Sequence, residues 1–176
     1  MNQTGLIEEY KVYQLTYEVL LLHIETITSL VNLIPKVKYT KSDILADSKL
    51  DRKFTGKWEH SLVVFDKNKP IAIIIGYERK REDNAQYPEN SIYISELVVA
   101  KNYQQQGIAK NILKKFLTSN KSFIHLSRNV VFSVQTNSAK WNQRVIDLYK
   151  STGFKTVSEK KYSNRKDVIL NLQLKN

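Results

Sequence analysis

The chain has 176 residues, of which 41% are hydrophobic, which is enough for one well-packed domain and too little for two of typical size. It contains no cysteine, which excludes disulfides, thiolate metal sites and a cysteine nucleophile and favours an intracellular protein. Its apolar runs are far shorter than the roughly 20 residues of a membrane span, and the N-terminus lacks a signal-peptide pattern, so we expect a cytoplasmic protein.

The positive charge of the chain is concentrated in its second half. The net charge is +11, from 28 lysines and arginines against 17 acidic residues. Residues 1–90 hold 13 basic and 13 acidic side chains, whereas residues 91–176 hold 15 basic and 4 acidic ones. This asymmetry indicates attraction of an anionic cofactor or of a nucleic acid. The alternative is a lysine-rich solvated surface with no specific partner.

The N-terminal part predicts a strand followed by helices. Residues 9–15 alternate polar and apolar side chains, which is typical of a half-buried strand. In residues 17–34 the apolar positions recur at three- and four-residue steps, which predicts one helix with Thr16 as its N-cap. Residues 40–48 predict a short second helix, for which Ser42 is the candidate cap.

The next segment predicts a hairpin and a charged loop. Residues 61–66 and 70–78 are strand-like runs, and residues 66–69 between them have turn composition. Residues 78–90 follow with many charges and no periodicity. Because long loops in compact domains often carry function, this one is a candidate for the acceptor side of a site. The alternative is a solvated loop without a role.

The centre of the chain predicts a buried strand that runs into an amphipathic helix. Residues 92–99 are apolar and β-branched, and from residue 108 to residue 117 the apolar spacing becomes helical. The junction, residues 104–109, offers the small residues Gly107 and Ala109 where the first helical turn begins. The first amides of a helix lack intrahelical acceptors and are electropositive, so the junction predicts an anion site.

The C-terminal part continues with alternating elements. Residues 129–135 predict a strand, and residues 141–149 predict a helix that Gly153 ends. A further strand opens at residue 154, and residues 168–174 predict a last, half-exposed strand. The five glycines fit neither GxxxxGK[ST] nor GxGxxG, which argues against a kinase or a nucleotide-dependent dehydrogenase.

The strand–helix junction resembles the acetyl-coenzyme A motif of the GNAT acetyltransferase superfamily. That motif is written Gln/Arg-x-x-Gly-x-Gly/Ala and corresponds here to Gln104, Gly107 and Ala109. Two positions depart from its commonest form, since Lys101 replaces a frequent proline and Ala109 replaces the second glycine. The alternative interpretation is an ordinary strand–helix unit with a polar turn.

A second segment resembles another motif of the same family, Asn-x-x-Ala-x-x-Leu-Tyr followed by Gly-Phe. Here it begins at Asn142 and reaches Tyr149, with Val145 at the alanine position. The resemblance implies that Asn142 binds the pantetheine arm and that Tyr149 protonates the leaving thiolate. The alternatives are that Tyr149 only packs in the core and that Asn137, a candidate helix cap, takes the asparagine role.

Glu96, eight residues before Gln104, is the candidate general base, because many GNAT proteins carry a polar residue there. An attacking amine must be neutral, and a lysine-type amine has a pKa near ~10.4, so a carboxylate acting through water would help remove its proton. The alternative is that Glu96 only pairs with a cation or binds backbone at a strand bulge. Ser133, on the neighbouring strand, offers no second base.

The resemblance implies an α/β GNAT fold in one domain over residues 1–176, with the motifs in residues 91–155. We expect a mixed sheet of about six to seven strands, splayed at its two central strands and flanked by about four helices. The implied cofactor-binding residues are the motif residues Gln104 and Asn142, backbone groups near Val98 and Val99, and the amides of Gln105, Gln106, Gly107, Ile108, Ala109 and Lys110.

The implied function is direct transfer of an acetyl group from acetyl-CoA, without a metal, to a primary amine. The acceptor is open among a small molecule, a protein N-terminus or lysine, and an aminoacyl-tRNA, and the protein is expected to be a monomer or homodimer. The alternative function is a GNAT-like module that binds nucleic acid or an acidic protein without turnover.

Overall fold

A computed structural model of the protein describes residues 10–36, 38–49, 52–82, 84–85, 87–88, 90–120 and 129–175. The strands are β1 (Lys11–Gln14), β2 (Ser48–Lys49), β3 (Arg52–Lys53), β4 (Leu62–Asp66), β5 (Lys69–Lys80), β6 (Asn90–Val99), β7 (Asn129–Asn137), β8 (Lys155–Lys161) and β9 (Lys166–Lys175). The α-helices are α1 (Tyr17–Leu22), α2 (Ile24–Val31), α3 (Lys41–Leu45), α4 (Lys57–His60), α5 (Ile108–Ser119) and α6 (Gln143–Ser151). No helix within these ranges is long and apolar enough to cross a membrane.

Seven strands form one mixed sheet in the order β1-β4-β5-β6-β7-β9-β8. All neighbours are antiparallel except β6 and β7, which run parallel. Their pairing covers only Ser91 to Ile94 on β6, although β6 stays paired with β5 as far as Val99. The two central strands therefore diverge beyond Ile94 and leave a gap in the middle of the sheet.

The sheet carries a hydrophobic core on each face. One core joins α5 and α6 to the sheet and includes Ile112, Phe116 and Val99. The other joins α1, α2 and α3 to the opposite face and includes Leu20, Ile27 and Val98. Consecutive β6 residues thus enter opposite cores, as the period of two requires.

The fold class is confirmed, and several element boundaries differ from the prediction. The predicted helix over residues 17–34 is divided at His23, whose N–H contacts the carbonyls of both Val19 and Leu20. Thr16 caps α1 as predicted, with its hydroxyl accepting from the Val19 N–H at 3.3 Å. The predicted start of β1 at Glu9 lies outside the described residues.

The cap of α3 was predicted wrongly. Thr40, not Ser42, is the N-cap, because its hydroxyl and the Asp43 carboxylate each accept from the other residue's backbone N–H in a capping box. The charged loop is shorter than predicted, since β5 extends to Lys80 and β6 begins at Asn90. The described chain has six α-helical segments rather than about four, because short helices such as α4 have no periodic signal.

Candidate active site

A cavity of about 320 Å³ lies where β6 and β7 diverge. We call it the cleft. Its walls come from β6, the end of β7, the first turns of α6, the segment after α2, and the start of β9. Glu96, Asn142 and Tyr149, which are far apart in the sequence, all line it. The sheet order therefore brings the predicted acid, base and pantetheine contact to one cavity.

Glu96 enters the cleft from β6, next to an irregularity in the strand. The register of β5 and β6 shifts between Ile75 and Gly76, which face Glu96 and Ile94, so Ser95 is the extra residue of a bulge. The Glu96 side chain is 8% exposed, and its Oε1 accepts a hydrogen bond from the Tyr39 hydroxyl at 2.8 Å. Burial and the adjacent carboxylate raise the pKa of Tyr39 above its ordinary value, so this tyrosine remains a donor.

Tyr149 is placed by α6 and is only 2% exposed. Its ring packs edge-on against Phe154 at 5.3 Å between centroids, and within the described ranges its hydroxyl has no hydrogen-bond partner. Burial raises the pKa of Tyr149 well above its ordinary value, and the nearby Tyr93 and Glu96 raise it further. The hydroxyl therefore keeps its proton at neutral pH, as a proton donor requires.

Asn142 lies at the end of a 3₁₀ turn, Lys140–Asn142, and is the N-cap residue of α6. Its Nδ2 donates to the Thr136 hydroxyl at 2.8 Å and to the Asn137 carbonyl at 2.6 Å. Both amide hydrogens are thus used to hold it against β7, which leaves its Oδ1 for a ligand. Asn137 does not cap α6 as expected, because its Oδ1 accepts instead from the Ala139 N–H at 2.7 Å.

The junction before α5 presents a set of unpaired backbone donors. Gln105 and Gly107 have φ values of 63° and 83°, and these left-handed conformations turn the chain tightly into the helix. In the described part of the chain, none of the amides of residues 105–110 finds an acceptor. We call these six amides the cradle. The Gln104 side chain anchors it by donating to the Val99 carbonyl at 2.9 Å.

The two valines predicted to contact pantetheine differ in where their backbone groups point. The Ala100 N–H donates to the Ile71 carbonyl on β5 at 2.8 Å. Because successive strand residues direct their backbone groups to opposite sides, Val98 also directs its groups to β5. Leu97 and Val99 direct theirs to the gap beside β6. The open backbone groups of this edge are therefore those of Leu97 and the N–H of Val99, because the Val99 carbonyl already accepts from Gln104.

Two functional candidates in the cleft were not predicted from the sequence. One is Tyr39, described above. The other is Asp167 on β9, which is 4% exposed. Its Oδ2 accepts from Gln135 at 2.8 Å and pairs with Arg165 at 3.3 Å, while its buried Oδ1 has no partner among the described residues. Strand alternation alone placed Asp167 on a polar face, but only the pairing of β9 with β7 brings it to the cleft.

Part of the positive charge of the second half lies on an edge of the sheet. β8, which contains Lys155, Lys160 and Lys161, is exposed along its whole length. Such an edge is compatible with either a nucleic-acid surface or a solvated one, so binding of nucleic acid stays a prediction.

Comparison with known proteins identifies the class that this fold and cleft define. The sequence model of the acetyltransferase (GNAT) family matches residues 26–154. The chain therefore belongs to the acetyltransferase (GNAT) family, whose members are acyl-CoA-dependent N-acetyltransferases. No curated protein shows significant similarity to it in sequence.

Solved structures of the family superpose over nearly the whole chain. Ard1 from Thermoplasma volcanium has a TM-score of 0.72 at 15% identity and covers 96% of this chain and 99% of its own. The ribosomal-protein-S18-alanine N-acetyltransferase from Escherichia coli has a TM-score of 0.70 at 12% identity, with 95% of both chains covered. Naa50 from Arabidopsis thaliana, in complex with the bisubstrate analogue CoA-Ac-MVNAL, has a TM-score of 0.65 at 14% identity and covers 93% of this chain and 98% of its own. At these identities the likeness concerns the fold.

Proposed function

We propose that the protein transfers an acetyl group from acetyl-CoA directly to a primary amine held in the cleft. The observation that carries this proposal is the convergence of a buried carboxylate and a buried, neutral phenol, Glu96 and Tyr149, on one cavity of a GNAT fold. β6, which lines the cavity, continues into the start of α5, whose first backbone donors are unpaired in the described part of the chain.

The cofactor would extend from the cradle into the cleft. The six free amides and the positive end of the α5 dipole suit the pyrophosphate, and the left-handed Gly107 leaves space beside them. The backbone groups of Leu97 and the N–H of Val99 are directed to the gap through which pantetheine would pass, and Asn142, whose Oδ1 has no donor among the described residues, lines the same cleft. Each of these groups is polar and lacks an internal partner for a ligand to displace.

The chemistry would be a direct attack of the amine on the thioester carbonyl. Glu96 takes the proton of the ammonium through water, and the neutral amine nitrogen forms the new C–N bond. As the C–S bond breaks, the Tyr149 hydroxyl gives its proton to the leaving thiolate, and the second proton of the attacking nitrogen, released as the amide forms, returns to the Tyr149 oxygen. A large part of the rate enhancement would come from holding the amine and the thioester together in a partly dry cleft.

The acceptor would enter from the side where Glu96 and Asp167 lie. Two buried carboxylates in one cavity favour an ammonium group. The Escherichia coli protein is named for acetylating an alanine of ribosomal protein S18, and the Arabidopsis protein binds an analogue that joins CoA to a peptide. We propose the same chemical class of acceptor here, the amino terminus of a polypeptide.

The first test is binding of acetyl-CoA by calorimetry, followed by a mass-shift screen of peptide and small-amine pools with the same preparation. We expect binding heat, and a gain of one acetyl group on the α-amine of a subset of peptides. Absence of binding would contradict the proposal. Tight binding of RNA that falls steeply with salt, without turnover, would favour the binding-module alternative.

A further inference from the structure

A second cavity of about 300 Å³ lies beside the cleft on the same face of the sheet. Gln135 lines both cavities and marks the boundary between them. The floor of the second cavity is formed by β7, β8 and β9, and its rim includes Asn84, Tyr87 and Pro88 from the loop between β5 and β6. The loop predicted to lie on the acceptor side therefore forms a wall of this second cavity.

The chemistry of the second cavity is that of an anion site. The Arg79 guanidinium lies 3.2 Å from the ring centroid of Tyr93 and 4.6 Å from that of Tyr87, and these contacts fix its position. Its Nε is buried and unbonded, and among the described residues no carboxylate pairs with it. Lys160, which lies opposite Asp167 in the sheet, lines the part of the cavity nearest the cleft, and no described aspartate or glutamate lines the cavity.

The pairing of β9 with β7 fixes the distance between the two cavities. Asp167 in the cleft and Asn171 in the second cavity lie on the same face of β9, opposite Asn137 and Ser133 of β7. Four residues of strand span about 13 Å. This is the length of about four residues of an extended peptide. The buried Oδ1 of Asn171 lacks a donor among the described residues, so the second cavity has an unused polar group.

We propose that the second cavity is an acceptor subsite that binds an acidic side chain of a peptide whose amino terminus lies in the cleft. The proposal rests on the proposed function and adds the sequence preference of the acceptor. The carboxylates of Glu96 and Asp167 receive the ammonium, and Arg79 receives an acidic side chain. Given the separation of about 13 Å, the acidic residue is the third or fourth of the peptide.

The experiment measures kcat/KM for peptides in which one glutamate is moved through positions two to five, each against the matching glutamine peptide. We expect the glutamate peptide to be preferred by roughly tenfold at position three or four, as for one charge-assisted contact. Arg79→Gln should reduce this ratio toward one. Arg144→Gln, which removes an exposed charge on α6 away from both cavities, should keep it.

Equal rates for glutamate and glutamine peptides at every position would overturn the subsite, as would a preference that Arg79→Gln leaves unchanged. Calorimetry with acetyl-CoA distinguishes failure of the subsite from failure of the proposed function. If acetyl-CoA binds and peptides are acetylated without an acidic preference, only the subsite is wrong. If acetyl-CoA binds and no peptide is acetylated, both the peptide acceptor and the subsite are wrong, and if it does not bind, the proposed function also fails.

Discussion

The proposed cofactor side and the proposed acceptor side of the cleft are built in different ways. The cofactor side consists mainly of backbone groups from one continuous segment, the end of β6 and the start of α5. The acceptor side consists of side chains from separate elements, with Tyr39 before α3, Glu96 on β6, Gln135 on β7 and Asp167 on β9. A local sequence pattern can therefore specify the first, whereas the second exists only once the sheet is assembled.

The difference has a consequence for mutation. Backbone donors on the cofactor side are removed only by changing the conformation or the space around them, so glycine positions are the sensitive ones. On the acceptor side each function belongs to a side-chain atom and can be removed by an isosteric substitution.

The largest effect is expected for Tyr149→Phe. Loss of the proposed general acid should lower kcat by roughly 10² to 10⁴ while acetyl-CoA binding changes little. The ring and its contact with Phe154 remain, so stability should be nearly unchanged. Steady-state kinetics and calorimetry on one preparation decide this. An unchanged kcat with a true acceptor would leave Tyr149 as a packing residue only.

Gly107→Trp tests the cradle. The bulky side chain should obstruct the free amides and weaken acetyl-CoA binding by at least roughly tenfold, the equivalent of one charge-assisted hydrogen bond. Gly153→Ala is the matched control, because Gly153 also has a left-handed φ, 100°, but lies beyond α6. This substitution should destabilise the fold without weakening the binding of acetyl-CoA. If a folded Gly107→Trp protein binds as well as wild type, the cradle is not the phosphate site.

Glu96→Gln tests the base on the acceptor side. Near neutral pH kcat/KM should fall roughly 10- to 100-fold, and the rate should recover as the pH rises and more of the amine is already neutral. The measurement is a pH–rate profile of both proteins with one peptide. A profile parallel to that of wild type would show that Glu96 is not the base, although the enzyme assignment would stand.

Asp167→Asn should act on acceptor binding more than on chemistry. Removing one of two carboxylates near the ammonium should raise the acceptor KM by about tenfold or less, with a smaller change in kcat. Asp147→Asn is the control, since Asp147 is exposed on α6 and binds only Gln143 in the described chain. Equal kinetics for both variants would remove Asp167 from the acceptor site.

The smallest effect concerns stability at alkaline pH. Burial raises the pKa of Tyr93 to about 12, so the folded state keeps a proton that the unfolded chain loses near pH ~10. The stabilisation is present below pH ~10 and is lost as the pH rises towards ~12. Between pH ~10 and ~12, the denaturation midpoint should fall less steeply with pH in Tyr93→Phe than in wild type. Tyr13→Phe, a control at an exposed position, should behave like wild type. Identical slopes in the three proteins would contradict this.

The sequence determined the elements that depend on local chemistry. Periodicity located the central strand and α5, and the small residues at Gly107 and Ala109 indicated where free amides would lie. The resemblance to the second motif singled out Asn142 and Tyr149, and both line the cleft. These features depend on residues within one or two turns of each other, where backbone geometry leaves few alternatives.

Only the tertiary structure decided the rest. Tyr39 reaches Glu96 because a loop folds over the sheet, and Asp167 reaches the cleft because β9 pairs with β7 rather than with β6. The same strand alternation would have been compatible with either neighbour, so no local pattern identified these side chains. Likewise the charge of Arg79 became informative only when its aromatic contacts and the absence of a described carboxylate partner were known. Long-range pairing in the sheet, which local sequence does not encode, therefore fixed the acceptor side.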